Sequence, residues 1–154
     1  MIAYRIADAR HTIFDATGAA RHGGRWNSPG VPAIYAAETF ALALLEILVH
    51  ANTTHPPKNH AVVTITVPDD LRIETVQKIQ IKNWDAPNMV ASRVFGDAWL
   101  REKRGAVLRV PSVITGDREH NLIFNPAHQD FARVKASGPE TVLWDERLLR
   151  MAQR

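Results

Sequence analysis

The apolar positions fall into short alternating runs and two longer helical stretches. Ala61 to Val67 (AVVTITV) is filled with β-branched residues and is the strongest strand in the chain. Ile2 to Ile6 reads as an opening strand, with Tyr4 and Arg5 adjacent and so facing opposite sides of a sheet. Ala33 to Ala36 (AIYA) forms a short strand that leads into a run of different character. From about Glu38 to Ala51, Ala and Leu dominate, glycine and proline are absent, and helix propensity is high throughout. Phe40, Leu42, Leu44, Leu45, Ile47, Leu48 and Val49 spread over every face, and this pattern predicts a buried helix. Glu46 stands in its middle.

Further along, Leu71 to Ile73 is a weaker strand after the turn Pro68-Asp69-Asp70, and Val76 to Asp85 fits neither period. Asn88 to Arg104 predicts an amphipathic helix with Val90, Val94, Ala98 and Leu100 inward. Its last turn carries arginine and lysine, where cations suit the helix dipole. Ala106 to Val110 and Asn121 to Phe124 read as strands, Phe131 to Lys135 and Thr141 to Trp144 as short closing runs, and Arg147 to Met151 as a terminal helical turn. Asp8 to Gly24 reads as a long loop, and Asn52 to Asn59 as an exposed connection stiffened by Pro56-Pro57. Connections after Ala61 are short enough for antiparallel pairing. The order predicts one α+β domain over residues 1–154, with mixed or antiparallel sheets.

Composition narrows the chemistry. At 154 residues, 45% hydrophobic and 23% charged, the chain suits one soluble domain with a real core. A net charge of +3 and a pI of about 9.6 favour an anionic ligand or an acidic partner, and are too small to argue for nucleic acid. The absence of cysteine excludes disulfides, thiolate metal sites and cysteine nucleophiles. The start, MIAYRIADAR, lacks the apolar core of a signal peptide, and no apolar run is long enough to span a bilayer; the expected compartment is the cytoplasm.

A carboxylate inside an oily helix must be paired, raised in pKa, or open to a cleft, so Glu46 is either a buried ion-pair partner or a functional acid. Upstream, Arg25 follows Gly23 and Gly24, which let the backbone approach a ligand, and its guanidinium fork suits phosphate or carboxylate oxygens. The segment contains no dinucleotide fingerprint and no P-loop. Tyr35 offers a ring that stacks on a flat ligand or fills the core. Ser112 follows a proline at a strand end without a Gly-x-Ser-x-Gly elbow. Asn121 either orients a polar ligand or satisfies a turn. Glu46 and His50 share a helix face, but the seven histidines show no ligand spacing, and no metal is expected. His22, His120 and Glu46 together would supply the acid and base of a ribonuclease.

At Arg25, Tyr35, Glu46 and Ser112 the chain resembles the RES-domain family. The segments that carry the likeness are Tyr4-Arg5-Ile6, GGRWNSPGVPAIYAAET, LLEILVH, LRVPSV and HNLIFNPAH, in family order along nearly the whole chain. The resemblance implies a fold similar to the diphtheria-toxin type of ADP-ribosyltransferase. It implies a toxin of a bacterial toxin–antitoxin pair, whose antitoxin carries a Xre-type helix-turn-helix domain and covers the site. It implies NAD as substrate, degraded by water or phosphate or used for ADP-ribosyl transfer to a protein. On this likeness Glu46 and Arg25 are the catalytic residues, while Tyr35, Ser112 and Asn121 bind substrate. No membrane or direct nucleic-acid contact is expected, and a homo-oligomer within the complex is allowed. A non-catalytic nucleotide- or partner-binding domain and a ribonuclease toxin are the competing functions.

Overall fold

The strongest strand, β3 (His60–Thr66), pairs along its whole length with β1 (Ile2–Asp8), from Ile2 opposite Thr66 to Asp8 opposite His60. The structure, a computed structural model, describes residues 1–51 and 57–150. Around this pair lies a sheet of eight strands. It adds β2 (Ile34–Ala37), β4 (Ile73–Thr75), β5 (Val107–Pro111), β6 (His120–Phe124), β7 (Lys135–Ala136) and β8 (Glu140–Thr141). Their order is β4-β5-β6-β2-β1-β3-β7, with β8 also on β3. Every pairing is antiparallel except β4 with β5, so the chain is a single α+β domain with a mixed sheet.

Strand alternation gives the sheet two apolar faces. One holds Ala3, Ile34, Ala36, Val63, Ile65, Val107, Leu122 and Phe124 beneath Ile13 and Phe14. Phe14 meets Phe124 edge-on and stacks on Phe131, which belongs to a 3-10 turn over Gln129–Arg133. The other face is covered in two patches. A patch on Ile6, Ala37 and Tyr4 lies under helix α2 (Phe40–Ala51), which buries Leu42 and Ala43 there. A second patch on Leu108, Val110, Ile123 and Tyr35 lies under Trp26, Trp84, Trp99 and Leu100. Trp99 and Leu100 belong to helix α3 (Val90–Arg101).

Thr39 starts α2, its Oγ1 accepting the Leu42 amide at 3.1 Å, as an N-cap does. The helix is not buried all round, as its composition suggests: Phe40, Leu45 and Val49 are 39%, 39% and 61% exposed. It rests on one sheet face and nothing among the described residues covers its outer side. Helix α3 turns a different face inward from the one its valines predict. Val90 and Val94 are exposed, whereas Ser92, Gly96, Asp97, Trp99 and Leu100 are buried. What packs on α3 is partly polar backbone, which a glycine admits and a carboxylate can hydrogen-bond. The expected loop from Asp8 to Gly24 contains a short helix, α1 (Thr17–His22), and α4 (Arg147–Arg150) is the terminal turn. Within the closing run from Phe131 to Lys135, only Lys135 is strand; the rest is mainly 3-10 turn. Most of the connection from Asn52 to Asn59, and Met151, lie outside the described residues.

Candidate active site

Three of the five expected site residues meet. Asn121 on β6 stands in register between Ala37 on β2 and Val110 on β5. Its Nδ2 donates to Glu46 Oε1 at 2.6 Å. Ser112, fully buried just past β5, donates from Oγ to the same oxygen at 3.4 Å and itself accepts the Ile114 amide at 3.2 Å. The Glu46 side chain is 25% exposed, and among the described residues the basic group within 4 Å of its carboxylate is the His50 ring, with Nδ1 at 3.9 Å from Oε2. His50 Nδ1 lies closer to the Glu46 carbonyl oxygen, at 2.6 Å. Among the described residues, then, no arginine or lysine forms an ion pair with Glu46. One carboxylate oxygen is held by neutral donors, and the other faces the titratable His50 ring.

Tyr35 shares the sheet face with Asn121. It pairs with Ile123, which makes Tyr35 and Asn121 diagonal neighbours about 7–8 Å apart. Its ring packs into the tryptophan patch, and its hydroxyl donates to Asn27 Oδ1 at 2.6 Å while accepting the Trp26 amide at 3.0 Å. Burial pushes the Tyr35 hydroxyl above its ordinary pKa, so it stays protonated and acts as a donor. On the opposite sheet face, Arg5 donates to the Tyr35 carbonyl at 2.7 Å and to the Ile13 carbonyl at 2.6 Å, and burial lowers its guanidinium pKa.

The structure does not bond Arg25 to Glu46. Its Nη1 donates to the Trp84 carbonyl at 3.2 Å and the Ala86 carbonyl at 3.0 Å. Among the described residues no carboxylate pairs with it, so a half-buried cation remains without a counter-charge. Such a group suits an anionic ligand.

Sequence reading passed over the supports of this region. Asn27, fully buried, and Asp97 on α3 both hold the loop that carries Arg25. Asp97 gives the signal available beforehand, a carboxylate next to a glycine in the middle of a helix.

His120 takes no part with Glu46. It precedes Asn121 on β6 and so faces the other side of the sheet, in a cluster with Glu38 and Arg109. Arg109 Nη2 donates to Glu38 Oε2 at 3.0 Å, with a second bond from Nε to Oε1. The buried His120 Nδ1 has no hydrogen-bond partner among the described residues and lies 3.7 Å from Glu38 Oε2. Burial first, then the Arg109 charge, hold the imidazole pKa below its ordinary value, against weaker pulls from Glu38 and Asp117. On acidification the unfolded chain thus takes up this proton before the folded one. Stability from His120 is present above the unfolded pKa of about 6.5 and is lost as pH falls through the folded value. The thermal midpoint at pH 5 should lie below that at pH 7.5, and His120→Gln should narrow the gap. An unchanged gap would assign it to other groups.

Two hollows lie elsewhere. One of about 380 Å³ is lined by Arg10, Asn59, His60 and Thr141, and one of about 160 Å³ by Arg72, Glu74, Arg104 and His128. Neither contains any of the five residues. Among the described residues no three His, Asp or Glu side chains gather to hold a metal. No helix among them is long and apolar enough to cross a membrane.

The pattern of the RES domain matches residues 2–145. The chain belongs to the RES-domain family. This RES domain is 42% identical over 158 residues to the "Prs ADP-ribosylating toxin" of Sphingobium sp. (strain YBL2), with 97% of each chain covered. It is 33% identical over 138 residues to a "Toxin Res" of Photorhabdus laumondii subsp. laumondii, with 85% of each covered. A chain of the M. tuberculosis MbcT–MbcA toxin–antitoxin complex aligns with a TM-score of 0.74 and 19% identity, over 97% of this chain and 87% of that one. At that identity the likeness establishes the shared fold. The expected family is thus the observed one, and the chain spans nearly the full length of these relatives.

Proposed function

We propose that this RES domain is the toxin of a toxin–antitoxin pair and that it cleaves the nicotinamide–ribose bond of NAD, passing ADP-ribose to a protein. The observation that carries the reading is the Glu46 carboxylate, held by Asn121 and Ser112 with no arginine or lysine paired to it among the described residues. The name of the Sphingobium relative supports protein transfer over release to water or phosphate. A fold like the diphtheria-toxin type of ADP-ribosyltransferase and an antitoxin of Xre type belong to the same reading.

Nicotinamide in NAD is already cationic, so its departure needs no strong acid. The bond between ribose C1′ and the ring nitrogen breaks, and its electron pair leaves with the now neutral nicotinamide. Positive charge develops on the ribose, as in glycoside hydrolysis. A carboxylate beside that ribose stabilises the charge, most strongly where water is scarce. Glu46 supplies it, and Asn121 and Ser112 hold its orientation. Arg25 holds the pyrophosphate, and the Tyr35 ring borders the nicotinamide. The acceptor nucleophile then attacks C1′ and gives up its proton.

Purified protein would be incubated with labelled NAD, with and without phosphate, and separately with cell lysate. Nicotinamide release together with labelled protein in the lysate is the expected result. Intact NAD in both buffers and no labelled protein would reject the enzymatic reading in favour of a binding domain.

A further inference from the structure

We propose that Asn27 and Asp97 are positioning residues of this site, which clamp the loop from Gly23 to Pro29 so that Arg25 is presented to the substrate's pyrophosphate; the pyrophosphate role rests on the NAD reading above. The loop is tied from three sides. From within, Asn27 uses its whole amide: Oδ1 accepts the Tyr35 hydroxyl, and Nδ2 donates to the Ala19 carbonyl at 2.9 Å and the Val31 carbonyl at 2.8 Å. Its own carbonyl accepts the Gly24 amide at 2.9 Å and closes a turn around Arg25. From α3, Asp97 Oδ1 accepts the Ser28 amide at 2.8 Å, and Arg93 Nε donates to the Gly24 carbonyl at 2.8 Å. From the sheet, the Tyr35 hydroxyl caps the Trp26 amide.

The glycines show how closely these parts are drawn together. Gly23 has φ +71°, and a Cβ on Gly24 would stand 2.6 Å from the Tyr35 hydroxyl oxygen. Asn27 and Asp97 are 0% and 9% exposed, so neither has room to meet a nucleotide itself. They act through the loop. A buried asparagine and a near-buried carboxylate spent on backbone groups are costly to place, and what they fix is the short segment holding an arginine that pairs with no carboxylate among the described residues.

The test uses the full chain and compares Asp97→Ala with Asp97→Asn, which still offers an oxygen to the Ser28 amide. Loss of the clamp should weaken ground-state and transition-state binding alike, raising KM for NAD about tenfold while kcat stays within about twofold. Asp97→Asn should keep KM within about threefold of the parent. On an Arg25→Ala background, Asp97→Ala should add no further rise in KM, because it acts through that arginine. Trypsin cleavage after Arg25, measured without NAD, should accelerate in Asp97→Ala and not in Asp97→Asn. An unchanged KM in Asp97→Ala, or a rise that adds in full to that of Arg25→Ala, overturns the proposal. Should the parent leave NAD intact, the functional reading fails, and the clamp is decided by trypsin alone: unchanged protection of Arg25 in Asp97→Ala overturns it. Asn27→Asp, which keeps the acceptor for Tyr35 but loses the two amide donations, gives an independent variant of the same clamp.

Discussion

Glu46→Gln is expected to lower NAD turnover by about a thousandfold while leaving the fold intact. The glutamine amide has nearly the same shape and still presents an oxygen to Asn121 Nδ2 and Ser112 Oγ, which now meet Glu46 Oε1 at 2.6 and 3.4 Å. What disappears is the negative charge. Removing one group aimed at transition-state charge in a preorganised site typically costs about 10²–10³ in kcat, or roughly 3–4 kcal/mol. A full charge facing an oxocarbenium-like ribose belongs at the upper end of that range. Among the described residues no lysine or arginine depends on Glu46 for neutralisation, so the substitution strands no buried cation there. Nicotinamide release under saturating NAD reads kcat, and a thermal melt reads the fold. Turnover within tenfold of the parent would remove Glu46 from the catalytic role. A collapse of the melting temperature would instead make it a structural residue.

The largest expected effect on stability comes from Gly96→Ala. A Cβ built at Gly96 would lie 1.8 Å from the Trp26 carbonyl oxygen and 2.7 Å from its carbon, both backbone atoms that no rotamer change can move aside. Either α3 must withdraw from the Trp26 loop or the loop must leave the sheet. Withdrawal would loosen the stack of Trp26 on Trp84 and the bond from Ser28 to Asp97. Overpacking of this kind costs about 3 kcal/mol, which in a domain of this size lowers the melting temperature by roughly 10 °C. Calorimetry measures it directly. A shift of less than about 2 °C would mean that α3 does not dock on the loop as described. Because the same contact positions Arg25, the folded fraction of this variant should also show a raised KM.

The misplaced face of α3 and the partial burial of α2 have one origin. Periodicity reports which residues are apolar, and it assumes that whatever packs against a helix is apolar too. On α3 the neighbour is the backbone of a polar loop, so Gly96 and Asp97 face inward and Val90 and Val94 face water. On α2 the neighbour is a single sheet face, so an all-round apolar helix keeps Leu45 and Val49 exposed. Glu46 escaped this difficulty. Its position in the helix marked it whatever the helix packed on, and the structure supplies its partners.

Local composition by itself determined the five longer strands, β1, β2, β3, β5 and β6, because β-branched alternation such as that of Ala61 to Val67 has one stable answer on a sheet; the short strands β4, β7 and β8 it placed only in part. It also determined the place of α2, the α+β class, and a family likeness carried by segments from Tyr4 to His128. Only the tertiary structure decided that Asn121 and Ser112 grip Glu46, separated from it by 75 and 66 positions, because strand register brings β2, β5 and β6 together. It alone set His120 on the opposite side of the sheet from its neighbour Asn121. It alone tied Arg25 into a loop held by Asn27 and Asp97, since those bonds end on backbone groups, and every residue type carries the same backbone.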